Sequence, residues 1–379
     1  MGFLRNIKSS LANNFNNIRG CNTNRKIIVI ESDDWGATRM PSTATLNRLL
    51  KKNVTFDLST AFDKYDTLAS DEDLEMLFEV LCSVKDKNGN YAKITANSIM
   101  ANPDFQKIKD SEFKQYYYEI FTETLNKYDP KTNIFQLWKK GIESNIFRPQ
   151  FHGREHLNVP MWLKSLQKNH QGVLTCFEEG VYSMMIRKVE DKREHVLSAY
   201  NYQDREDLDF IAYSMKEGLL IFEKLFGYQS KSMIAPCYVW DSEIENMAYQ
   251  NDIKYIQGGI FQLYPTFGLK KRKRHFMGER NHNDQIYLIR NCSFEPSNDR
   301  TIDHVDNCLH KIATAFRWNK PAIINSHRVN YIGRLEKNNS VKNLIILRQL
   351  LKSIVNKWPN AEFMFSDELG NVIEGNFTV

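Results

Sequence analysis

Two adjacent carboxylates directly after a hydrophobic run are the first sign of chemistry in this chain. In Glu31-Ser-Asp-Asp-Trp-Gly36, Asp33 and Asp34 follow the apolar stretch Lys26-Ile-Ile-Val-Ile. Paired acids at the end of a buried strand need a cation, a metal or water. The competing explanation is a turn with helix-capping acids, since aspartate favours both. A second cluster is Gln150-Phe-His-Gly-Arg-Glu-His-Leu-Asn158, which sets His152 and His156 four positions apart. On a helical turn that spacing puts both imidazoles on one face, able to chelate one ion, although HxxxH also arises by chance. In the third, Ile323-Ile-Asn-Ser-His-Arg-Val-Asn330, His327 closes an apolar run. It is either a hydrogen-bonded structural histidine or a general acid that titrates near neutrality.

These residues make a coherent set. Two histidines and one carboxylate can hold Zn²⁺ and leave positions open for water. The remaining carboxylate can take a proton from that water, and the remaining histidine can give one to a leaving group. The chemistry is metal-assisted hydrolysis of an amide or ester. Each bland explanation must hold separately, so joint occurrence favours the site.

The elements that would position these residues alternate in type. Short β-branched or apolar runs occur at Lys26–Glu31, Lys93–Ala96, Ile146–Phe151, Ser232–Ala235, Ile253–Gln257, Gln285–Arg290, Ala322–Asn325 and Glu362–Phe365. Helical spacing lies between most of them. One helix is expected after Ser42, with Leu46, Leu49 and Leu50, and another after Ser70, with acids in its first turn. A third is expected through Phe113, Tyr117, Ile120, Phe121 and Leu125, and longer ones over Asp204–Phe226 and Asn338–Lys357. Strands alternating with helices predict an α/β fold with a parallel sheet. Seven or eight strands over this length suit a closed barrel, with a doubly wound open sheet as the alternative. In a parallel barrel all C-terminal strand ends open on one face, so the three clusters would meet there.

The chain has 379 residues, 42% of them apolar and 26% charged, which suits a large core in an ordinary globular protein. A net charge of +5 makes no demand for a nucleic-acid partner. The six cysteines form no CxxC pair and predict reduced, mostly buried thiols in a cytoplasmic protein. No apolar run is long enough to span a membrane, and the start lacks the apolar run of a secretory signal. Phe3, Leu4, Ile7, Leu11, Phe15 and Ile18 fall at helical spacing, with Arg5, Lys8 and Arg19 among the polar positions. An N-terminal helical extension over 1–25 is expected to pack this stripe on its own barrel; a peripheral membrane contact is the alternative. The barrel domain is expected over 26–379, with an insertion at about 177–210. The basic stretch at 270–285 reads as a solvated loop.

The motifs resemble the polysaccharide deacetylase family, also called chitooligosaccharide deacetylase-like. Ser32-Asp33-Asp34-Trp35-Gly36 looks like that family's first motif, a strand ending in paired aspartates and glycine. The likeness implies Asp33 as catalytic base and Asp34 as metal ligand. His152-Gly-Arg-Glu-His156 is similar to the second motif, His-[Ser/Thr]-x-x-His, which implies both histidines as ligands. Ile324-Asn325-Ser326-His327 resembles the last motif and implies His327 as general acid.

The third motif, usually Arg-x-Pro-[Tyr/Phe], corresponds to Ile234-Ala-Pro-Cys-Tyr-Val-Trp-Asp241. Pro236 fits, but Ala235 stands where the family's base-orienting arginine would be. Gly153 and Trp35 depart as well. Arg290, after another apolar run, is the first candidate to replace the arginine, and Arg154 is the second. A backbone N–H near Cys237 or Tyr238 would stabilise the oxyanion, and Tyr238 and Trp240 would bind substrate by stacking on a sugar ring.

The resemblance implies a distorted (β/α)₇ barrel. It also implies a metal-dependent removal of an acetyl or acyl group from a carbohydrate, such as an N-acetylated sugar or a lipid-linked glycan. Zn²⁺ is the expected ion, with Co²⁺, Ni²⁺ or Mn²⁺ as substitutes. An amidohydrolase for a small non-sugar amide would use the same chemistry. The missing arginine favours a third alternative, a non-catalytic sugar-binding barrel.

Overall fold

A computed structural model describes residues 13–183, 185–189, 192–265 and 271–376. The central sheet is built from β1 (Lys26–Trp35), β2 (Ile94–Ser98), β3 (Phe147–Phe151), β4 (Ser232–Ile234), β5 (Tyr255–Gly258), β6 (Ile286–Ile289), β7 (Cys292–Ser293), β8 (Ala322–His327) and β9 (Ala361–Met364). Ile27, Ile28, Val29 and Ile30 of β1 are at most 1% exposed. Such a continuous apolar run is what a parallel strand covered on both faces requires.

The pairing order is β6-β5-β4-β3-β2-β1-β8-β7, with β9 added on β1, and every pair is parallel. The two ends of this path are neighbours in sequence. The Arg290 N–H donates to Gly258 at the end of β5, and the Asn291 N–H donates to Ile323 in β8. A single extended segment thus leaves one edge of the sheet and joins the other. Among the described residues no ladder closes the ring; the peptide between Arg290 and Asn291 bridges its two ends. Helices cover the outside, as expected for an α/β fold of this type.

The helices begin where the sequence offers caps. α1 (Thr43–Lys51) starts at Ser42, whose hydroxyl accepts from the Thr45 N–H. α2 (Asp71–Leu81) carries a reciprocal capping box between Ser70 and Asp73. α3 (Arg205–Phe226) starts at Asp204 and ends at Gly227, whose φ of 78° needs glycine. The long helix α4 (Lys337–Lys357) packs Leu344, Leu347, Leu350 and Leu351 into the main core. A second, smaller core joins Met40, Leu46, Ile108, Trp162, Phe177 and Tyr182 beside it.

Three expectations need correction. The stretch with Phe113, Tyr117, Ile120, Phe121 and Leu125 is not one helix. A short helix over Phe105–Asp110 ends in a turn with Glu112 and Phe113 at φ 55° and 62°. Tyr118–Ile120 then pairs antiparallel with Ala101–Pro103, and a new helix runs over Phe121–Tyr128. The apolar spacing served two cores, so periodicity merged separate elements. The basic stretch is not a free loop either, because Arg272–Arg274 pairs antiparallel with Phe261–Leu263 and His275 is buried.

The N-terminal stripe does not pack wholly on the barrel. Phe15 and Ile18 sit on a helical turn and are 58% and 51% exposed. Phe3, Leu4, Arg5, Ile7, Lys8 and Leu11 lie outside the described residues. No helix among the described residues is long and apolar enough to cross a membrane.

Candidate active site

The C-terminal end of β1 departs from regular geometry as soon as it leaves the apolar run. Its register against β8 sets Asp33 directly beside His327. Asp34 adopts φ 73°, a left-handed conformation rare outside glycine, and Gly36 follows at φ 86°. A Cβ on Gly36 would meet the Ile99 carbonyl oxygen at 2.4 Å, so glycine is required there. Trp35 turns away from the site. Its indole N–H donates to Ser32 at 2.9 Å, and its ring meets Trp138 and Phe147 edge-on. Strain concentrated at one strand end is a mark of functional positions.

Asp34, His152 and His156 converge at this strand end, all buried, with one ligating atom from each within 4.8 Å of the others. The Nε2 atoms of His152 and His156 lie 3.4 and 3.3 Å from Asp34 Oδ1. His152 Nδ1 faces the Ile234 carbonyl at 2.9 Å, so it carries the proton and leaves Nε2 free as a ligand. Burial pushes the His156 pKa well below its usual value, which keeps that ring neutral. Two imidazoles and a carboxylate that converge on one point fit a divalent cation.

The histidines reach this arrangement without a helical turn. Residues 152–158 form an irregular loop after β3, with Gly153 at φ 119°. A Cβ there would meet the Glu155 carbonyl oxygen at 3.0 Å, which accounts for glycine where the family motif has Ser or Thr.

Ala235 offers no charge, whereas Arg290, which follows β6, reaches Asp33. Its Nη1 and Nη2 donate to the two oxygens of Asp33 at 2.7 and 2.6 Å, and its Nε donates to Glu31 at 2.6 Å. Nη1 also reaches Asn325 and the Tyr238 hydroxyl, at 2.6 and 3.0 Å. Asn97 adds a donor to Asp33 at 2.7 Å. Burial by itself would raise the Asp33 pKa, but the charge and hydrogen bonds of Arg290 outweigh it and lower the group to about 2. Arg154 is elsewhere: buried, paired with Glu155 and Glu217, and enclosed by aromatic rings that include Tyr118.

His327 has its Nε2 3.8 Å from Asp33 and its Nδ1 2.6 Å from Glu295. Burial opposes its charge, yet Glu295 and the two aspartates prevail and raise its pKa to about 9. The Phe62 ring stands edge-on against the imidazole, centroids 4.8 Å apart.

Asp33, Asp34, Arg39, His152, His156, Tyr238 and His327 line one cavity of about 310 Å³, with Phe62, Leu197 and Cys237 among its walls. Trp240 does not line it. Its ring is 1% exposed, stacks on His275 and donates to Glu245. Cys237 and Tyr238 are both left-handed, at φ 57°. The Tyr238 N–H donates to Ala235, so it is not free for an oxyanion. Cys237 lines the cavity, which leaves its N–H as the candidate donor.

Sequence reasoning missed Glu295 and Arg39. Glu295 lies two residues beyond β7, in the strand-end position that had flagged the other acids. Arg39 donates to Asp34 Oδ2 at 3.0 Å from a loop that carries no such signal.

No family model matches the sequence, and no curated protein matches it. Some solved structures are similar in fold. A 4-alpha-glucanotransferase from Thermococcus litoralis shares 11% identity at a TM-score of 0.48; the alignment covers 93% of this chain but only 41% of that one. A putative polysaccharide deacetylase from Mycobacterium smegmatis shares 8% at 0.48, over 94% of this chain and 93% of that one. Puue allantoinase shares 7% at 0.49, with the same two coverages. At such identities the likeness does not extend to activity.

Proposed function

We propose that the chain is a metal-dependent hydrolase that removes an acetyl or other acyl group from a carbohydrate, as a divergent polysaccharide deacetylase. The observation that carries this reading is the fork of Arg290 on Asp33 beside the Asp34–His152–His156 triad. It supplies, from another strand, the orienting charge that the third motif lacks. This counts against the non-catalytic alternative, whose main support was the absent arginine.

A divalent cation on the triad would polarise an acyl carbonyl and acidify water, toward a pKa of about 7 in the case of Zn²⁺. Zn²⁺ suits this donor set best, and Co²⁺, Ni²⁺ or Mn²⁺ would be accepted by the same ligands. Asp33, held ionised and in a fixed rotamer by Arg290, takes the proton of the attacking water. His327, held protonated by Glu295, gives its proton to the departing amine or alkoxide. The Cys237 N–H is placed on the cavity wall to meet the developing oxyanion. Tyr238, fixed by Arg290, offers its ring to the substrate.

The substrate class we favour is an N-acetylated sugar, free or lipid-linked. The exposed Phe15 and Ile18 are compatible with a peripheral membrane contact. The unpaired cysteines suit a cytoplasmic setting. A small non-sugar amide remains the second reading, since the same residues would serve it.

Elemental analysis combined with an acetate-release screen over N-acetylated sugars tests the proposal. His152→Ala and Asp34→Ala should lose most of the bound metal, because each removes one of three protein ligands. Asp33→Asn should keep the metal and lose turnover. Full metal occupancy in both ligand variants would overturn the site, and near-normal turnover of Asp33→Asn would overturn the base.

A further inference from the structure

We infer that Arg39 is a positioning residue for the metal centre: it claims one oxygen of Asp34, so that the carboxylate meets the cation through the other oxygen alone. The inference rests on the metal reading above. The two oxygens of Asp34 have divided tasks. Oδ1 faces both ligating imidazoles, whereas Oδ2 accepts from Arg39 Nη2 at 3.0 Å.

Arg39 is itself 5% exposed and held from behind. Its Nε lies 3.4 Å from Asp66 Oδ2, and Asp66 Oδ1 accepts from Arg328 Nε at 2.9 Å. Asp66 and Arg328 are both fully buried. The Met40 N–H also donates to the Asp66 carbonyl, which fixes the loop that carries Arg39. A chain of alternating charge, Asp34–Arg39–Asp66–Arg328, therefore runs from the metal ligand to the residue after His327.

An arginine that merely tied two loops together would need only Asp66. The additional bond falls on the oxygen that would otherwise complete a two-oxygen ligand. The guanidinium also puts a fixed positive charge beside the cation's own site. It should withdraw electron density from Asp34 and weaken its hold on the ion. A cation bound by fewer, weaker donors keeps more open positions and polarises a carbonyl more strongly.

Co²⁺ reports this directly, because its visible bands weaken as coordination number rises. Wild-type protein, Arg39→Gln and Arg39→Lys would be titrated with Co²⁺ and their spectra compared. In Arg39→Gln, Asp34 is free to offer both oxygens. Its bands should lose intensity and its affinity should rise about tenfold as a like charge leaves the partly screened site. Arg39→Lys keeps the charge and the reach to Oδ2, and should follow the wild type in both.

Unchanged bands in Arg39→Gln, or weaker binding with unchanged bands, overturn the inference. If Arg39→Gln fails to fold, X-ray absorption on the zinc-loaded wild type decides: one carboxylate oxygen at ligand distance supports it, and two overturn it. If the wild type binds no Co²⁺ at all, the metal reading falls, and this inference with it.

Discussion

Burial alone would favour a neutral Asp33, and the fork from Arg290 reverses that sign. A lysine at 290 would keep the charge but not the paired geometry, so Arg290→Lys separates the two contributions. We expect turnover to fall on the order of 100-fold through misplacement of the base, while metal content stays unchanged. Elemental analysis beside steady-state kinetics checks both halves. Glu295 does the converse for His327. The imidazolium persists up to about pH 9 because Glu295 and the aspartates favour the charged ring over the pull of burial. If His327 is the general acid, turnover should hold below that pH and fall above it. Glu295→Gln removes the leading favourable charge, so the alkaline limb of kcat/KM should move to lower pH, and an unmoved limb would remove Glu295 from the mechanism. Asp33, lowered to about 2, should add no acid limb near neutrality.

At the scale of elements, legibility followed the simplicity of local rules. The strands read as short apolar runs because parallel strands are buried on both faces, and Ser42, Ser70 and Asp204 marked helix starts because each hydroxyl or carboxylate caps a free N–H. The stretch from Phe113 to Leu125 failed, since side chains directed at two cores mimic the spacing of one helix. The loop of His152 and His156 failed differently: a four-residue spacing brought the rings together, but through left-handed Gly153 instead of a helical turn. Arg290 was legible as a strand-end residue; Arg39 was not, because partners from distant loops leave no local pattern. The Gly153 conformation can be tested. Gly153→Ser restores the family's residue but forces a side chain into φ 119° against the Glu155 carbonyl. We expect a loss of roughly 1–3 kcal/mol in stability and weaker metal binding. Unchanged thermal melting would show that the loop adapts at little cost.

The molecule as a whole presents a cavity and an aromatic, basic surface. The cavity gathers residues from the ends of β1, β4 and β8 and from the segments after β1, β3 and β4. Elsewhere, the Arg274 guanidinium lies over the rings of both Phe15 and Phe261. If this basic and aromatic surface meets anionic lipid, the protein should sediment with phosphatidylserine-containing vesicles at low salt and not with neutral ones. Release on Phe15→Ser with Ile18→Ser would assign the contact, and equal partition to both vesicle types would dismiss it. The closure of the ring at Arg290–Asn291 has a consequence for how the protein comes into being. Asp33 is made early in synthesis, Arg290 much later, and His327 later still. In the proposed mechanism they can act together only once the segment between β6 and β7 has docked on both neighbouring strands. Long-range pairing of this kind is slow to form. If Asp33, Arg290 and His327 are the machinery, turnover should return only in the last phase of refolding, after the helical signal has largely recovered, and would serve as a timer for the finished chain.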